Sequence, residues 1–380
     1  MKKAIYITSS VINEHTSGGT TGPSGRRIGG GVPYHELKVL KEVCMVRDVY
    51  QYPQETALEQ VFPGNPFMQD IHTALNIVNP SEIEIAYFFG GNFPVTMKLL
   101  SEVGAKVIVT VNAHNLEESL KEWTDLAFFE KFNKEFELIH PNQHLSMNSP
   151  PTHLTNSEVF NLSCKGYIEC ADIVITPSTC SANYLHNKFK LNPVVIPHGV
   201  NIPPTWTSDR TPFTVLDIAP FAIDKGQKYL VESWRDYCGG IKGELILAGS
   251  LGAQLLFSGV TNISHRGVIS EEDKNNLYST ASVYVQPSVT EGFGMCVLEA
   301  MARGTPVIVT EGVGAKDCVD DGKDGFIVPI RDAKAIADKI RYFHDNPSEV
   351  KKFGANARLK AEKYDWPVIE KKYTEVIQNA

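Results

Sequence analysis

No stretch of the 380 residues comes near the roughly 20 consecutive apolar positions that a bilayer-spanning helix needs. The opening MKKAIYITSS carries two lysines, but its apolar run is too short for a secretory leader, and the alternation in AIYIT reads as a first strand. Positive charge is not in excess either. With 36 Lys+Arg against 44 Asp+Glu the net charge is −8, which argues against the basic surface that nucleic-acid binding demands. The seven cysteines (Cys44, Cys164, Cys170, Cys180, Cys238, Cys296, Cys318) are odd in number and contain no CxxC pair. Neither a disulfide framework nor a zinc ribbon is indicated, and a reduced, cytoplasmic protein is expected. His140 and His144 have ligand-like spacing, but Pro141 interrupts any helix that would align them, so no metal is expected there. Phosphate-binding signatures of the GxGxxG and GxxxxGK[ST] kinds are missing. With 42% hydrophobic and 21% charged residues, and unremarkable Gly and Pro usage, the chain is not disordered or collagen-like.

What is present is an alternation of short apolar runs with helical stretches of 10 to 15 residues. KAIYITS, EIAYFF, KVIVTV, DIVITPS and PVVIPHG occupy the first 200 residues. FTVLDIA, GELILAG, ASVYVQPS, TPVIVT and GFIVPI repeat the theme afterwards. Near-continuous apolar strands separated by helices are the signature of α/β folds with buried parallel sheets. The Pro-rich, polar segment Asn201 to Pro212 reads as the boundary between two doubly wound halves of similar size, with a ligand cleft between them. The stretch from Asn115 to about Asn156 breaks the pattern. Its aromatics Trp123, Phe128, Phe129, Phe132 and Phe136 fall at helical spacings. They suit either a long amphipathic helix on the first sheet or an acceptor-binding or membrane-facing insertion.

The segment Pro287 to Gly304, PSVTEGFGMCVLEAMARG, carries the most chemistry. A strand runs into a turn containing Gly292 and Gly294, and a helix opens near Met295. Such a turn lets backbone approach a ligand closely, and the helix start offers free N–H groups to an anion. Glu299 lies on an otherwise apolar helix, where an unpaired carboxylate is costly to bury. A surface bridge to Arg303 one turn on would account for Glu299 but not for Glu291. A carboxylate beside a phosphate site commonly holds a ribose diol in doubly wound folds.

EGFGMCVLEAMARGTPVI closely resembles the E-x7-E signature of retaining GT-B glycosyltransferases, family 4 in particular. Further segments in family order strengthen the resemblance: ADIVITPS, VVIPHGV, DKGQKYLVESW, HRGVISEEDKNNLYSTASVYVQPS, DGKDGFIVPIRD and YDWPVIEKKYTEVI. The resemblance implies that Glu299 holds the ribose of a donor nucleotide and that Glu291 contacts the transferred sugar. Backbone groups of Phe293 and Gly294 would bind sugar hydroxyls or phosphate, and those of Val268 would line the base pocket. Lys225 would neutralise the leaving diphosphate as a metal ion otherwise does. Gly29, Gly30 and Gly31, preceded by Arg27, match the family's glycine loop near the donor phosphates; alone they would also read as a surface loop. His114, at the end of the strand KVIVTVNAH, matches the histidine that contacts the sugar in the transition state. One departure stands out. The arginine often found five or six residues before the lysine is replaced by Ala219 and Pro220, leaving Arg27, Arg26 or Arg266 to complete the phosphate clamp.

The expectation is therefore a GT-B enzyme of two Rossmann-like domains facing across a cleft. Residues 1–200 would hold the acceptor, 201–365 the nucleotide-sugar, and a terminal helix, 366–380, would return to the first domain. It would transfer a sugar from a UDP-, GDP- or ADP-sugar to a carbohydrate, lipid-linked or small-molecule acceptor. Configuration would be retained, and neither metal nor cofactor would take part. No D-x-D occurs, which counts against the metal-dependent GT-A type. A cytoplasmic location with peripheral membrane contact is the accompanying expectation. The rival readings are a nucleotide-sugar epimerase of the same fold and a non-catalytic sugar-nucleotide-binding protein.

Overall fold

A computed structural model describes residues 1–8, 20–21, 27–28, 31–51, 77–89, 93–111, 170–220, 222–249 and 260–380. The described residues fall into two compact units: those of 1–111 with 170–199 and 366–380, and those of 200–365.

In the first unit, six strands form one parallel sheet: β1 (Lys3–Thr8), β4 (Met45–Gln51), β5 (Ile85–Phe89), β6 (Lys106–Thr110), β7 (Ile173–Thr176) and β8 (Val194–Val195). Their order is β4-β1-β5-β6-β7-β8. A two-residue antiparallel pairing, β2 (Thr20–Thr21) with β3 (Arg27–Ile28), lies outside it. Ile5, Ile7, Ala86, Phe88, Val107 and Val109 build the core with Met97 and Leu100 of helix α2 (Pro94–Glu102). Helix α1 (Gly31–Val43) follows the glycine run, and α3 (Thr179–Phe189) follows β7, its start capped by the Ser178 side chain.

The second unit repeats the plan with β9 (Phe213–Ile218), β10 (Gly243–Ala248), β11 (Ile263–His265), β12 (Val283–Gln286), β13 (Val307–Thr310) and β14 (Gly325–Val328). All pairings are parallel, in the order β11-β10-β9-β12-β13-β14. Apolar side chains cover both faces. One face packs Leu216, Tyr284 and Val307 against α6 (Met295–Ala302). The other packs Val215, Leu245 and Val285 against α4 (Gln227–Glu232) and α7 (Ala333–Asp345). Helix α5 (Glu271–Thr280) precedes β12, and α8 (Pro347–Ala361) follows α7. Two doubly wound α/β sheets are thus present, as the strand–helix alternation implies.

The last helix, α9 (Trp366–Gln378), belongs to the first unit and lies along α1. Trp366, Ile369, Tyr373 and Ile377 form its buried stripe. His35 of α1 stacks on Trp366, ring centroids 3.8 Å apart, and also meets Glu370 at 2.6 Å. Lys38 bonds the same carboxylate at 2.7 Å. No helix among the described residues is long and apolar enough to cross a membrane.

Two details differ from the sequence reading. The run PVVIPHG yields a strand of only two residues, Val194–Val195, both exposed at the sheet edge. The break between the units falls at Gly199/Val200, just before the Pro-rich segment Asn201 to Pro212, which belongs wholly to the second unit. Trp206 lies against Gly304, where a Cβ would come within 2.3 Å of its ring. Arg210 is buried, and its guanidinium donates to the carbonyls of Tyr278 (2.8 Å), Ala281 (3.1 Å), Arg303 (2.6 Å) and Ser279 and to Oγ1 of Thr305 (2.9 Å). Five acceptors, several from helix ends, offset the cost of burying that charge.

Candidate active site

In the second unit the chain steps from β9 to β10 on one side and later returns to β12 on the other. The loops leaving the carboxyl ends of two adjacent strands therefore diverge there. This switch point is where open parallel sheets leave room for a ligand.

The loop after β9 carries Lys225; the loop after β12 carries Glu291. Backbone contact binds the loops together, since Val289 N–H donates to Asp224 O at 2.8 Å. Gly226, with φ +69°, makes the contact possible, because a Cβ there would fall 2.0 Å from the Pro287 carbonyl. Across this seam the Lys225 ammonium and the Glu291 carboxylate form an ion pair, both side chains about four-fifths buried. The β13 loop supports Glu291 from behind: its N–H donates to Gly312 O at 2.9 Å, and Gly314 N–H donates to its carbonyl at 3.0 Å. Ala315 N–H fixes the Phe293 carbonyl at 2.6 Å.

Helix α6 begins at Met295, directly after Gly294, whose φ of +96° favours glycine. Glu299 lies one turn along and is buried, 3% exposed. The alternative of a surface bridge to Arg303 is not what forms: the Arg303 guanidinium reaches the Glu299 carbonyl (3.3 Å) and the Asn275 side chain. The Glu299 carboxylate turns to α5, accepting from Lys274 Nζ at 3.3 Å and from the Tyr278 hydroxyl at 3.1 Å. Lys274 is also bonded to Glu271 at 2.9 Å. Burial opposes its charge, yet Glu299 and Glu271 hold its ammonium above the ordinary lysine value. Burial alone pushes Arg210 down to about 10. Arg210 grips the last carbonyls of α5 together with Arg303 O, just past α6, so one side chain fixes both helices of this carboxylate site.

The structure brings together Lys225, Glu291, Phe293, Gly294 and Glu299. Val268, 69% exposed, follows β11 at the same carboxyl edge. Ala219, where the family arginine is missing, is enclosed by backbone: a Cβ on Gly249 would fall 1.9 Å from its carbonyl. Arg266 lies 4.0 Å from Glu244, near the start of β10. In the first unit Gly31 opens α1. His114, Gly29, Gly30, Arg26, His140, His144 and the 115–156 aromatics lie outside the described residues, as does the Arg27 side chain. Lys274 and Tyr278 were not singled out from sequence, though their i, i+4 spacing puts them on one helix face. Among the described residues no three His, Cys, Asp or Glu side chains gather as a metal site.

Residues 201–360 match the family described as glycosyl transferases group 1. A D-inositol 3-phosphate glycosyltransferase of Streptomyces scabiei is 36% identical over 104 residues, 27% of this chain and 23% of that protein. The match thus spans about a quarter of that relative's length. Among solved structures, sucrose-phosphate synthase from Thermosynechococcus elongatus has a TM-score of 0.71 at 18% identity, covering 100% of this chain and 99% of that one. Anabaena HepE in complex with UDP and glucose has a TM-score of 0.64 at 15% identity, covering 100% of both chains. These likenesses show that the chain has the two-domain, Rossmann-like GT-B fold.

Proposed function

We propose that this chain is a retaining glycosyltransferase that moves a sugar from a nucleoside-diphosphate donor to an acceptor without a metal ion. One observation carries the reading. At the switch point of the second unit, a lysine–glutamate pair and a second, separately anchored glutamate stand beside a helix start. This is the set that a diphosphate, a sugar and a ribose diol would each require. The family match over the same residues and the UDP-bound HepE neighbour support it.

In this reading Glu299 accepts hydrogen bonds from the ribose hydroxyls. Its pairing with Lys274 and Tyr278 keeps the carboxylate oriented while it is out of water. Glu291 and the backbone of Phe293 and Gly294 contact the transferred sugar, and Val268 borders the base. Lys225 has three N–H donors, so it can hold Glu291 and a phosphate oxygen together. Its charge becomes most valuable as the glycosidic bond breaks and the diphosphate gains negative charge. His114, by resemblance, would contact the sugar, and Arg27 is the candidate to supply the diphosphate's second cation in place of the missing family arginine. No covalent carboxylate intermediate is required.

Thermal denaturation with UDP-, GDP- and ADP-sugars tests the donor class. A donor at ~100 times its Kd adds about 2.7 kcal/mol to the folded state. Transfer to a panel of sugar acceptors, with the product anomer read by NMR, then tests retention, and turnover should survive EDTA. The reading fails if no donor raises the melting temperature, if the donor is only epimerised, or if EDTA stops turnover and magnesium restores it.

A further inference from the structure

The Lys225 turn rests on a buried pair that the reading above leaves unused. Asp217 is a carboxyl group in the apolar strand β9, with no exposed surface. Its Oδ2 accepts from Nε2 of Gln227, the first residue of α4, at 2.8 Å. The same Nε2 lies 3.4 Å from the Ala219 carbonyl. The other two polar atoms, Asp217 Oδ1 and Gln227 Oε1, are both buried and both without a hydrogen-bond partner. If Asp217 were ionised, both would be orphaned acceptors on two groups already joined by one bond. Each such atom carries its desolvation cost uncompensated, and an unpaired buried charge costs more.

One proton removes both defects. A carboxylic acid with its hydrogen on Oδ1 donates to the amide carbonyl Oε1, while the amide N–H donates to Oδ2. All four polar atoms are then satisfied within a closed ring.

We propose that Asp217 is a neutral carboxylic acid, closed onto the Gln227 amide by two hydrogen bonds, and that this ring is the positioning element for the turn that presents Lys225. The proposal rests on Lys225 serving the diphosphate. Gln227 is only two residues beyond Lys225, and Gly226 between them is wedged against Pro287, so fixing Gln227 fixes the turn. The groups that face Asp217 are Lys225 from its own loop, Tyr284 of β12 and Cys296 of α6. Burial raises Asp217 to about 7, outweighing the opposing pull of the Gln227 bond and of the Lys225 ammonium. Tyr284 is pushed well above its ordinary value and Cys296 up to about 11, so both are neutral at physiological pH. A neutral Asp217 leaves the Lys225 charge for Glu291 and a phosphate, rather than cancelling it from beneath.

Asp217→Asn and Asp217→Ala separate this from an ionised Asp217 acting as counter-ion to Lys225. Asparagine can place an N–H where the acid carries its hydroxyl, so the ring survives; alanine abolishes it. Assayed below about pH 7, where the acid keeps its proton, Asp217→Asn should keep donor turnover within about 3-fold of wild type, while Asp217→Ala loses ~10-fold or more, mainly in kcat. Denaturant melts of the unliganded protein give a readout independent of catalysis. A carboxyl group whose folded pKa is raised binds its proton more tightly when folded. Stability must therefore fall as pH rises from the ordinary value near 3.9 towards about 7, and be level above it. Wild type should lose stability relative to Asp217→Asn across that window. The proposal is overturned if Asp217→Asn is as impaired as Asp217→Ala, or if wild type gains on Asp217→Asn as pH rises. Should no donor turn over at all, the melts still decide, so failure of the glycosyltransferase reading is told apart.

Discussion

Two buried glutamates, one in each unit, meet the same physical problem with different neighbours. Glu36 of α1 has no exposed surface and is surrounded by hydroxyls: Tyr6 donates to Oε2 at 3.2 Å and Thr110 to Oε1 at 2.9 Å, while Tyr87 and Thr110 bond each other at 2.9 Å. Burial pushes it up to about 8, even though the hydroxyls of Thr110, Tyr373, Tyr6 and Tyr87 pull it down. Glu299, 3% exposed, instead accepts from an ammonium, that of Lys274, as well as from the Tyr278 hydroxyl. Hydroxyls serve a carboxyl group in either protonation state, whereas an ammonium stabilises only a charged partner. The first arrangement joins α1 to β1 and β6 and serves the fold. The second ties α6 to α5 through an ammonium and a hydroxyl, on the helix that opens at the carboxyl edge of the second sheet.

The largest effect should come from the ion-paired side. Lys225→Ala is expected to lose at least ~100-fold in kcat/KM, about 2.7 kcal/mol or more of barrier, and also to lower the melting temperature, because it strands the mostly buried Glu291 carboxylate. Steady-state kinetics on a known donor would show it, and wild-type activity in that variant would remove Lys225 from the chemistry. Next, Glu299→Ala should weaken donor binding about 10- to 150-fold, since a hydrogen bond to a charged group contributes ~1.5–3 kcal/mol. Calorimetric titration with the donor checks this, and unchanged affinity in a folded variant would make Glu299 a structural residue. The smallest effect sharpens the contrast. Glu36→Gln should leave donor affinity unchanged and alter only how stability depends on pH. Because the folded pKa of Glu36 is raised, wild-type stability falls as pH rises from the ordinary value near 4.3 towards about 8, and the Gln variant should lack that decline. Loss of donor affinity in Glu36→Gln would erase the distinction between the two carboxyl groups.

The interior of both sheets was legible in the sequence because buried parallel strands are almost uniformly apolar. All ten such runs contain strands. The two that escaped notice, MVRDVYQ of β4 and ISH of β11, lie at sheet edges, where polar side chains interrupt the pattern. Glu291 and Glu299 were readable from one turn-and-helix motif in which they lie eight residues apart, and Lys225 from the resemblance carried by DKGQ. Lys274 and Tyr278 were not, because their partner lies 21 to 25 residues away on another helix. Asp217 offered a local signal, an acid inside FTVLDI, but its partner Gln227 emerges only when β9 and α4 pack together. Glu36, in a helix with charged neighbours, carries no such signal.

The packing of residues 200–212 bears on how this protein can be recombined. The ends of the block 200–365 meet: Val200 N–H donates to Tyr364 O at 2.9 Å, and Val200 bridges Asp365. A block whose entry and exit adjoin is a natural cassette for exchange between related enzymes. The proline-rich stretch looks like the obvious crossover point, yet a cut beyond Arg210 would separate that guanidinium from the four carbonyls and one hydroxyl it holds. Joints at Gly199/Val200 and Asp365/Trp366 keep Arg210 with α5 and α6 and leave α9 with its own unit. Chimeras cut there would inherit whole the Glu299 contacts with Lys274 and Tyr278.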